Sequence, residues 1–431
     1  MGHSAGKKII KKLAKRIDGT SCRAPSNKQF FELLSELYTE EEAIIAVNMP
    51  YSLTNIDHIN KTTGIEKKTL IKKLKKMSNK GLVMDLWFND EFQYMVSPMI
   101  VGLYEFCQMK AGKHHDIKKL AKLFNNYLHE DGIFYSANYQ GKVANRRTLP
   151  HEGSLGDHIE ILDYERASYL IKKANKYALA TCSCRHEKYH LDDKHCNTPL
   201  ESCLSFGFSA DYLIRNGFGK EITEKEALKK LEYSEKFGLV ITADNIKQEI
   251  ASICQCCGCC CSALAGISKF GYPDSVVSSG FMSEINNDLC NGCGKCAKIC
   301  PVNAIALIDN KHVANKKTAK LDTSICLGCG ICIGVCKSKS LKLNRHEKRI
   351  ILPESTFEKI ILQSLERGTL QNQIFDDPNR LTHKFMRGFI GGFLNLNPVK
   401  KTLMSDTFRS SFLNTIGNGV KRKGKSWLLD I

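Results

Sequence analysis

The chain is 431 residues long, 42% hydrophobic and 25% charged, with a formal net charge of +18 at pH 7. That composition belongs to a soluble globular protein of roughly two to four domains. No uncharged apolar run approaches membrane-spanning length, and Met1 to Asp18 lacks the apolar stretch of a signal peptide. Twenty cysteines is several times the usual number. In a small secreted chain they would imply disulfides, but their spacings are those of metal ligands. A reducing, anoxic cytoplasm is the compartment this implies. The positive charge suits nucleic acid, an anionic membrane face or an acidic redox partner, and charge alone does not choose among them.

Residues 1–26 form a basic segment in which Lys7, Lys8, Lys11, Lys12, Lys15 and Arg16 alternate with Ile9, Ile10, Leu13 and Ile17. It reads first as a frayed, solvated terminus and second as a small amphipathic helix. Residues 27–110 read as a separate domain. A helix is predicted over 27–38, and Thr39 with Glu42 makes a capping box for a second. Asn55 caps a third that stops near Gly64, and a longer helix follows from Glu66 to Asn79 with Leu70, Leu74 and Met77 on one face. Strands over 82–88 and 92–97 turn at Asn89-Asp90. Helices followed by a hairpin resemble a winged helix–turn–helix domain, whose recognition helix would carry Lys67, Lys68, Lys72, Lys75 and Lys76. Lysines neutralise phosphates without reading bases, and no Arg, Asn or Gln stands at the start of this helix. Protein docking is therefore placed ahead of DNA binding.

The segment 111–279 is expected to be a mainly helical, cysteine-rich region. His114-His115 reads as a surface pair, Arg146-Arg147 is ambiguous, and Asp163 to Ala180 reads as one helix. Cys182, Cys184, Cys196 and Cys203 follow, interleaved with His186, His190 and His195 along a polar run, Glu187 to Asn197, that reads as loop. This set suits an iron–sulfur cluster, with zinc as the alternative; zinc sites more often show C-x-x-C pairs. Thr223 and Glu226 open another helix, closed at Gly238, before a short strand at Leu239-Val240-Ile241. The densest run is Cys254, Cys256, Cys257, Cys259, Cys260 and Cys261, six cysteines in eight residues. Neighbouring cysteines point in different directions, so the run must serve more than one site. Ten cysteines in the middle region are enough for one or two clusters, and spacing leaves their partition open.

Cys290, Cys293, Cys296 and Cys300 are followed, 36 positions on, by Cys326, Cys329, Cys332 and Cys336 at the same spacing. The repeat extends to Ile285/Leu321, Ile305/Leu341 and Leu307/Leu343, so one supersecondary unit is used twice. Over residues 280–345 the chain resembles the bacterial two-cluster ferredoxins, which implies a ferredoxin-like (βαβ)2 fold. In that family the fourth cysteine of each run ligates the other cluster. The resemblance thus implies one [4Fe-4S] cluster on Cys290, Cys293, Cys296 and Cys336, and another on Cys326, Cys329, Cys332 and Cys300. Pro301 follows the family pattern and Lys337 departs from it. Gly292, Gly294, Gly328 and Gly330 are expected to let the backbone wrap closely. Nearby Lys295, Lys298, Lys337 and Lys339 would favour the reduced state or steer an acidic partner, if they are more than solvated side chains. The order of segments also resembles uncharacterised iron–sulfur proteins of anaerobes that join a winged-helix-like start, the C-x-C region, the CC-x-CCC run and a ferredoxin domain.

The tail, 346–431, is expected to be helical and basic. Phe385, Phe389 and Phe393 form a stripe expected to pack against the body of the protein, with a partner or membrane face as the alternative. The whole reads as an α+β protein holding at least two, and up to four, [4Fe-4S] clusters. The expected function is electron transfer between redox partner proteins. The alternatives are a DNA-binding redox or iron-sensing regulator, and a reductase with its site at 182–261. No catalytic residue is assigned, and neither a dinucleotide glycine fingerprint nor a P-loop pattern is present.

Overall fold

Apolar residues three and four apart turn the start of the chain into a helix, Gly2–Asp18, which buries Ile10, Leu13, Ala14 and Ile17. The terminus is therefore not frayed. Its lysines face outward, whereas Arg16 is buried, donates to the Met49 carbonyl at 2.9 Å and lies over the Tyr51 ring at 3.5 Å. The computed structural model describes residues 2–110, 115–156, 161–309, 317–346 and 350–431. The chain divides into two units: Met1–Val143, Tyr212–Phe218 and Pro353–Ile431 make one, and Ala144–Asp211 with Gly219–Leu352 make the other. Of the expected His114-His115 pair, His114 lies outside the described residues. No helix among the described residues is long and apolar enough to cross a membrane.

In the first unit, helices Lys28–Leu37, Glu40–Asn48, Ile56–Thr63 and Lys67–Asn79 start at Asn27, Thr39, Asn55 and Glu66, whose side chains accept first-turn N–H groups. Thr39 and Glu42 do make a capping box. Strands Val83–Phe88 and Glu91–Val96 pair antiparallel across Asn89 and Asp90, both at positive φ as a tight hairpin turn requires. Leu381–Leu394 is helical despite its glycines, because Ile390 and Leu394 pack with Ile361, Leu365 and Leu370. The phenylalanine stripe is on a different side and does not pack: Phe385, Phe389 and Phe393 are 71%, 67% and 56% exposed.

The second unit corrects the expectation of a mainly helical middle region. Its centre is a seven-stranded sheet in the order Gly219–Glu221, Tyr177–Thr181, Glu201–Phe206, Ser252–Cys256, Val240–Asp244, Arg146–Leu149 and Val276–Val277. All contacts are antiparallel except the last. The helix expected over Asp163 to Ala180 stops at Lys173, and Tyr177–Thr181 is a strand. Ala178, Leu179 and Ala180 are all buried between two neighbouring strands, so no alternation marks them as a strand. The expected loop Glu187 to Asn197 begins inside a helix, Ser183–His190.

The ferredoxin-like segment belongs to this same unit. Phe281–Ile285 pairs with Leu341–Arg345, and Ile305–Asp309 with Lys317–Leu321. Each sheet therefore joins a strand of one half to a strand of the other. Ile285 stands directly opposite Leu341, and their counterparts in the repeat, Leu321 and Ile305, oppose each other in the same way. Short helices Lys295–Ile299 and Ile331–Gly334 complete the two halves.

Burial of the first helix has a measurable consequence. Leu13→Ala is expected to lower the stability of the first unit by about 2–5 kcal/mol, and exposed Lys12→Ala to change it by less than about 0.5 kcal/mol. Denaturant unfolding followed by the fluorescence of Trp87 and Trp427, both in this unit, measures the difference.

Candidate metal centre

The doubled cysteine run is shaped by four glycines. Gly292, Gly294, Gly328 and Gly330 have φ of 69, 72, 63 and 80°, a region that side chains disfavour. A Cβ on Gly292 would collide with the Lys317 carbonyl, and one on Gly328 with the Phe281 carbonyl. The loops thus close directly onto strand backbone. Gly294 and Gly330 lead into the short helices that hold Cys296 and Cys332. Just beyond those helices the chain delivers Cys300 and Cys336 to the opposite half. Cys336 lies beside Cys290, and Cys296 beside Cys290 and Cys293. Cys300 lies beside Cys326, and Cys329 beside Cys332, Cys326 and Cys300.

The surroundings suit sulfur ligands. The Ala304 N–H donates to Cys300 Sγ at 3.2 Å, Ser283 Oγ lies 3.2 Å from Cys332 Sγ, and Ser340 Oγ lies 3.2 Å from Cys336 Sγ. Burial pushes the Cys290 thiol up, but hydrogen bonds from the Ala319 and Gly292 backbone and from Thr318 hold it below its ordinary value. Ser340 and Ser338 do the same for Cys336. At Cys332 burial, with the neighbouring cysteines, outweighs the Ser283 hydrogen bond and pushes the thiol up to about 12. Cys293 is exposed at the first group, with Lys295 and Lys298 exposed near it and Lys337 and Lys339 exposed beyond Cys336. The second group is clamped from the sheet side. The Ser154 and Ser279 hydroxyls donate to the Gly330 and Gly328 carbonyls at 3.0 and 2.9 Å, and the His151 N–H donates to the Cys329 carbonyl at 3.0 Å.

The ten middle cysteines divide into six and four. Strand pairing sets Cys203 opposite Cys254, and Cys256 follows two residues on, so the three share one face. Cys182 stands at the N-cap of helix Ser183–His190, with Cys184 in its first turn, and Cys261 at the N-cap of Ser262–Ser268. Their thiols form a closed ring: Cys203 meets Cys254, Cys254 meets Cys256, and Cys256 meets Cys261. Cys261 meets Cys184, Cys184 meets Cys182, and Cys182 neighbours Cys203. Hydrogen bonds from Cys203 and Cys256 hold Cys254 well below the ordinary thiol range, while Cys182, Cys203 and Cys261 are raised by their sulfur neighbours and by burial.

The other group is Cys196, Cys257, Cys259 and Cys260, whose Sγ atoms all lie within 4.8 Å of one another. Cys196 Sγ is 3.7 Å from Cys257 and 4.0 Å from Cys260, and Cys259 Sγ is 3.5 Å from Cys260. A hydrogen bond from Cys260, aided by Arg185, lowers the Cys257 thiol to about 5. Cys196 is thus separated from Cys182, Cys184 and Cys203, with which spacing had grouped it. Of the three interleaved histidines, His186 and His190 meet each other at 3.1 Å, and His195 meets Asp193 at 3.0 Å.

Two buried arginines face these sulfurs. Arg146 lies by Cys254, Cys256 and Cys203 and is anchored to Ser252 Oγ at 2.7 Å, the Thr242 carbonyl at 2.8 Å and Asp244 at 3.3 Å. Arg185 lies by Cys182, Cys256 and Cys257, between the two groups, held by Ser202 and the Gln255 carbonyl. The ambiguous Arg146-Arg147 pair is therefore buried in a strand. Arg185 went unnoticed among the cysteines; its place in C-x-C-R was the available signal.

Of the candidate docking lysines, Lys67 pairs with Asp57, whereas Lys68, Lys72, Lys75 and Lys76 are exposed along one side of their helix. The remaining cysteines, Cys22 and Cys107, are buried in the first unit, where burial pushes their thiols up to about 11 and about 12. No cysteine is joined in a disulfide.

Residues 289–340 match the family model of the 4Fe-4S dicluster domain. No curated protein and no solved structure matches the chain. The match covers a small part of the chain, and it identifies an iron–sulfur domain of the ferredoxin type within a longer protein.

Gly328→Ala is expected to remove about four irons and four sulfides per chain by disrupting the loop of Cys326 and Cys329. Gly388→Ala, where a Cβ meets nothing within 4 Å, should leave the content unchanged. Colorimetric iron and sulfide assays on anaerobically purified protein distinguish the two.

Proposed function

We propose that the protein is an iron–sulfur electron carrier that relays low-potential electrons between redox partner proteins in an anoxic cytoplasm. The doubled ferredoxin-type site carries this reading. Cys290, Cys293, Cys296 and Cys336 would hold one [4Fe-4S] cluster, and Cys326, Cys329, Cys332 and Cys300 another. Four thiolates of the six-sulfur ring would hold a third. Each such cluster takes up and releases one electron without proton transfer, and hydrogen bonds, charge and burial set its potential.

The arrangement supports a direction of flow. Cys256 and Cys261 belong to a buried apolar cluster against which the partly buried Cys254, Cys300, Cys326 and Cys329 pack. Cys293, at the far group, is exposed beside exposed Leu289 and Lys295. The ring is then the interior station, and the Cys293 side is the exit to a partner that is acidic at the contact.

Anaerobic purification with iron and sulfide analysis and EPR of the reduced protein tests this. About twelve irons per chain are expected, and fewer than about eight would overturn the relay, because two cubanes need that number. Dilution of salt from 200 to 50 mM should also speed electron delivery to an acidic acceptor more than to a neutral one, by roughly tenfold or more if steering operates.

Two other readings rest on specific observations. Six thiols where a cubane uses four leave two for substrate chemistry, which favours a reductase acting at 182–261. The exposed row Lys68, Lys72, Lys75 and Lys76, on a helix that precedes a hairpin, favours docking to an acidic protein or to DNA in a redox-sensing regulator. The exposed Phe385, Phe389 and Phe393 offer a contact for a partner or a membrane surface.

A further inference from the structure

The cysteines of this unit are not all spaced for the same metal chemistry. Thiolates on a cubane stand around a core of four irons and four sulfides, which keeps them apart. Among the described residues, neither four-cysteine set of the ferredoxin-type site brings its sulfurs within 4.8 Å of one another; the group of Cys196, Cys257, Cys259 and Cys260 does. Its individual separations are 3.5, 3.7 and 4.0 Å. A zinc ion bound to four thiolates at about 2.3 Å sets tetrahedral sulfur–sulfur edges of about 3.8 Å. The spacing therefore leaves room for one ion and not for four irons with their sulfides.

We propose that Cys196, Cys257, Cys259 and Cys260 bind a single zinc ion, separate from the iron–sulfur clusters. The four donors are all soft, no water-bearing ligand position is left open, and closed four-cysteine sites are structural rather than catalytic. Leu239 and Phe237 pack with the four cysteines as an apolar surround. The role follows from what the ion would join. Cys196 lies on the segment after helix Ser183–His190, and the other three lie in the turn after strand Ser252–Cys256. That turn is flanked by Cys256 and Cys261, both members of the six-sulfur ring. Gly258, within it, abuts Pro301: a Cβ there would lie 2.7 Å from the Pro301 carbonyl oxygen. One ion would thus brace the ring on one side and the Cys300 end of the ferredoxin-type site on the other.

The test uses full-length protein purified anaerobically from cells given ample iron. Elemental analysis should find about one zinc per chain, and zinc-edge X-ray absorption should show four sulfurs at about 2.3 Å. The paired variant Cys196→Ser, Cys259→Ser should lose at least tenfold of the zinc while iron and acid-labile sulfide stay within error. Loss of about four irons and four sulfides in that variant, with no zinc in the unaltered protein, would overturn the proposal in favour of a cubane. Zinc with nitrogen or oxygen ligands, zinc that persists in the variant, or a mononuclear iron in its place would overturn it equally. Should the variant fail to fold, the absorption spectrum of the unaltered protein still decides, since a cubane and a lone zinc differ in both edge and metal–metal scattering.

Discussion

Thiolates repel one another, and the second unit gathers eighteen of the twenty cysteines. Several of its features answer to that constraint. Strand pairing forces Cys203 and Cys254 together, while Arg146 lies against them with its own carboxylate, hydroxyl and carbonyl anchors. Arg185 supplies the same service between the two middle groups. Cys182 and Cys261 stand at helix N-termini, where unsatisfied N–H groups favour negative charge. In the doubled run the compensation is of another kind, made by hydroxyl and backbone donors at the sulfurs.

That contrast also explains what was legible in the sequence. The doubled run announces itself because three ligands of each group come from one loop and the short helix after it, so their spacing is a local property. The glycines at 292, 294, 328 and 330 could be assigned for the same reason. The partition of the ten middle cysteines could not, because it depends on which strand pairs with which, and Cys196 meets Cys257 across 61 positions. The buried strands themselves hid behind helical spacing at Tyr177 and behind two arginines at 146–147 that the sequence leaves ambiguous. The tail misled in the opposite sense: its phenylalanines have helical spacing, but Ile390 and Leu394 are the residues that pack.

The ferredoxin-type segment is bound closely into its unit. The same loop that presents Cys329 accepts hydrogen bonds from His151 and Ser154, near the first strand of the sheet, and Arg345 pairs with Glu165 at 2.9 Å. In the relay we propose, this matters because the inner cluster's surroundings are set by residues more than a hundred positions upstream of its cysteines. Its potential would then be a property of the unit and not of the repeat alone.

The first unit is assembled from three stretches of chain, the last of them Pro353–Ile431. Cys336, the final cysteine of the sequence, precedes that stretch. During synthesis every cysteine of the metal centre therefore leaves the ribosome before the residues that complete the first unit. Chain connectivity thus makes these cysteines available before the first unit can close, and a nascent chain halted after residue 352 would contain the whole candidate metal centre but only part of the other unit.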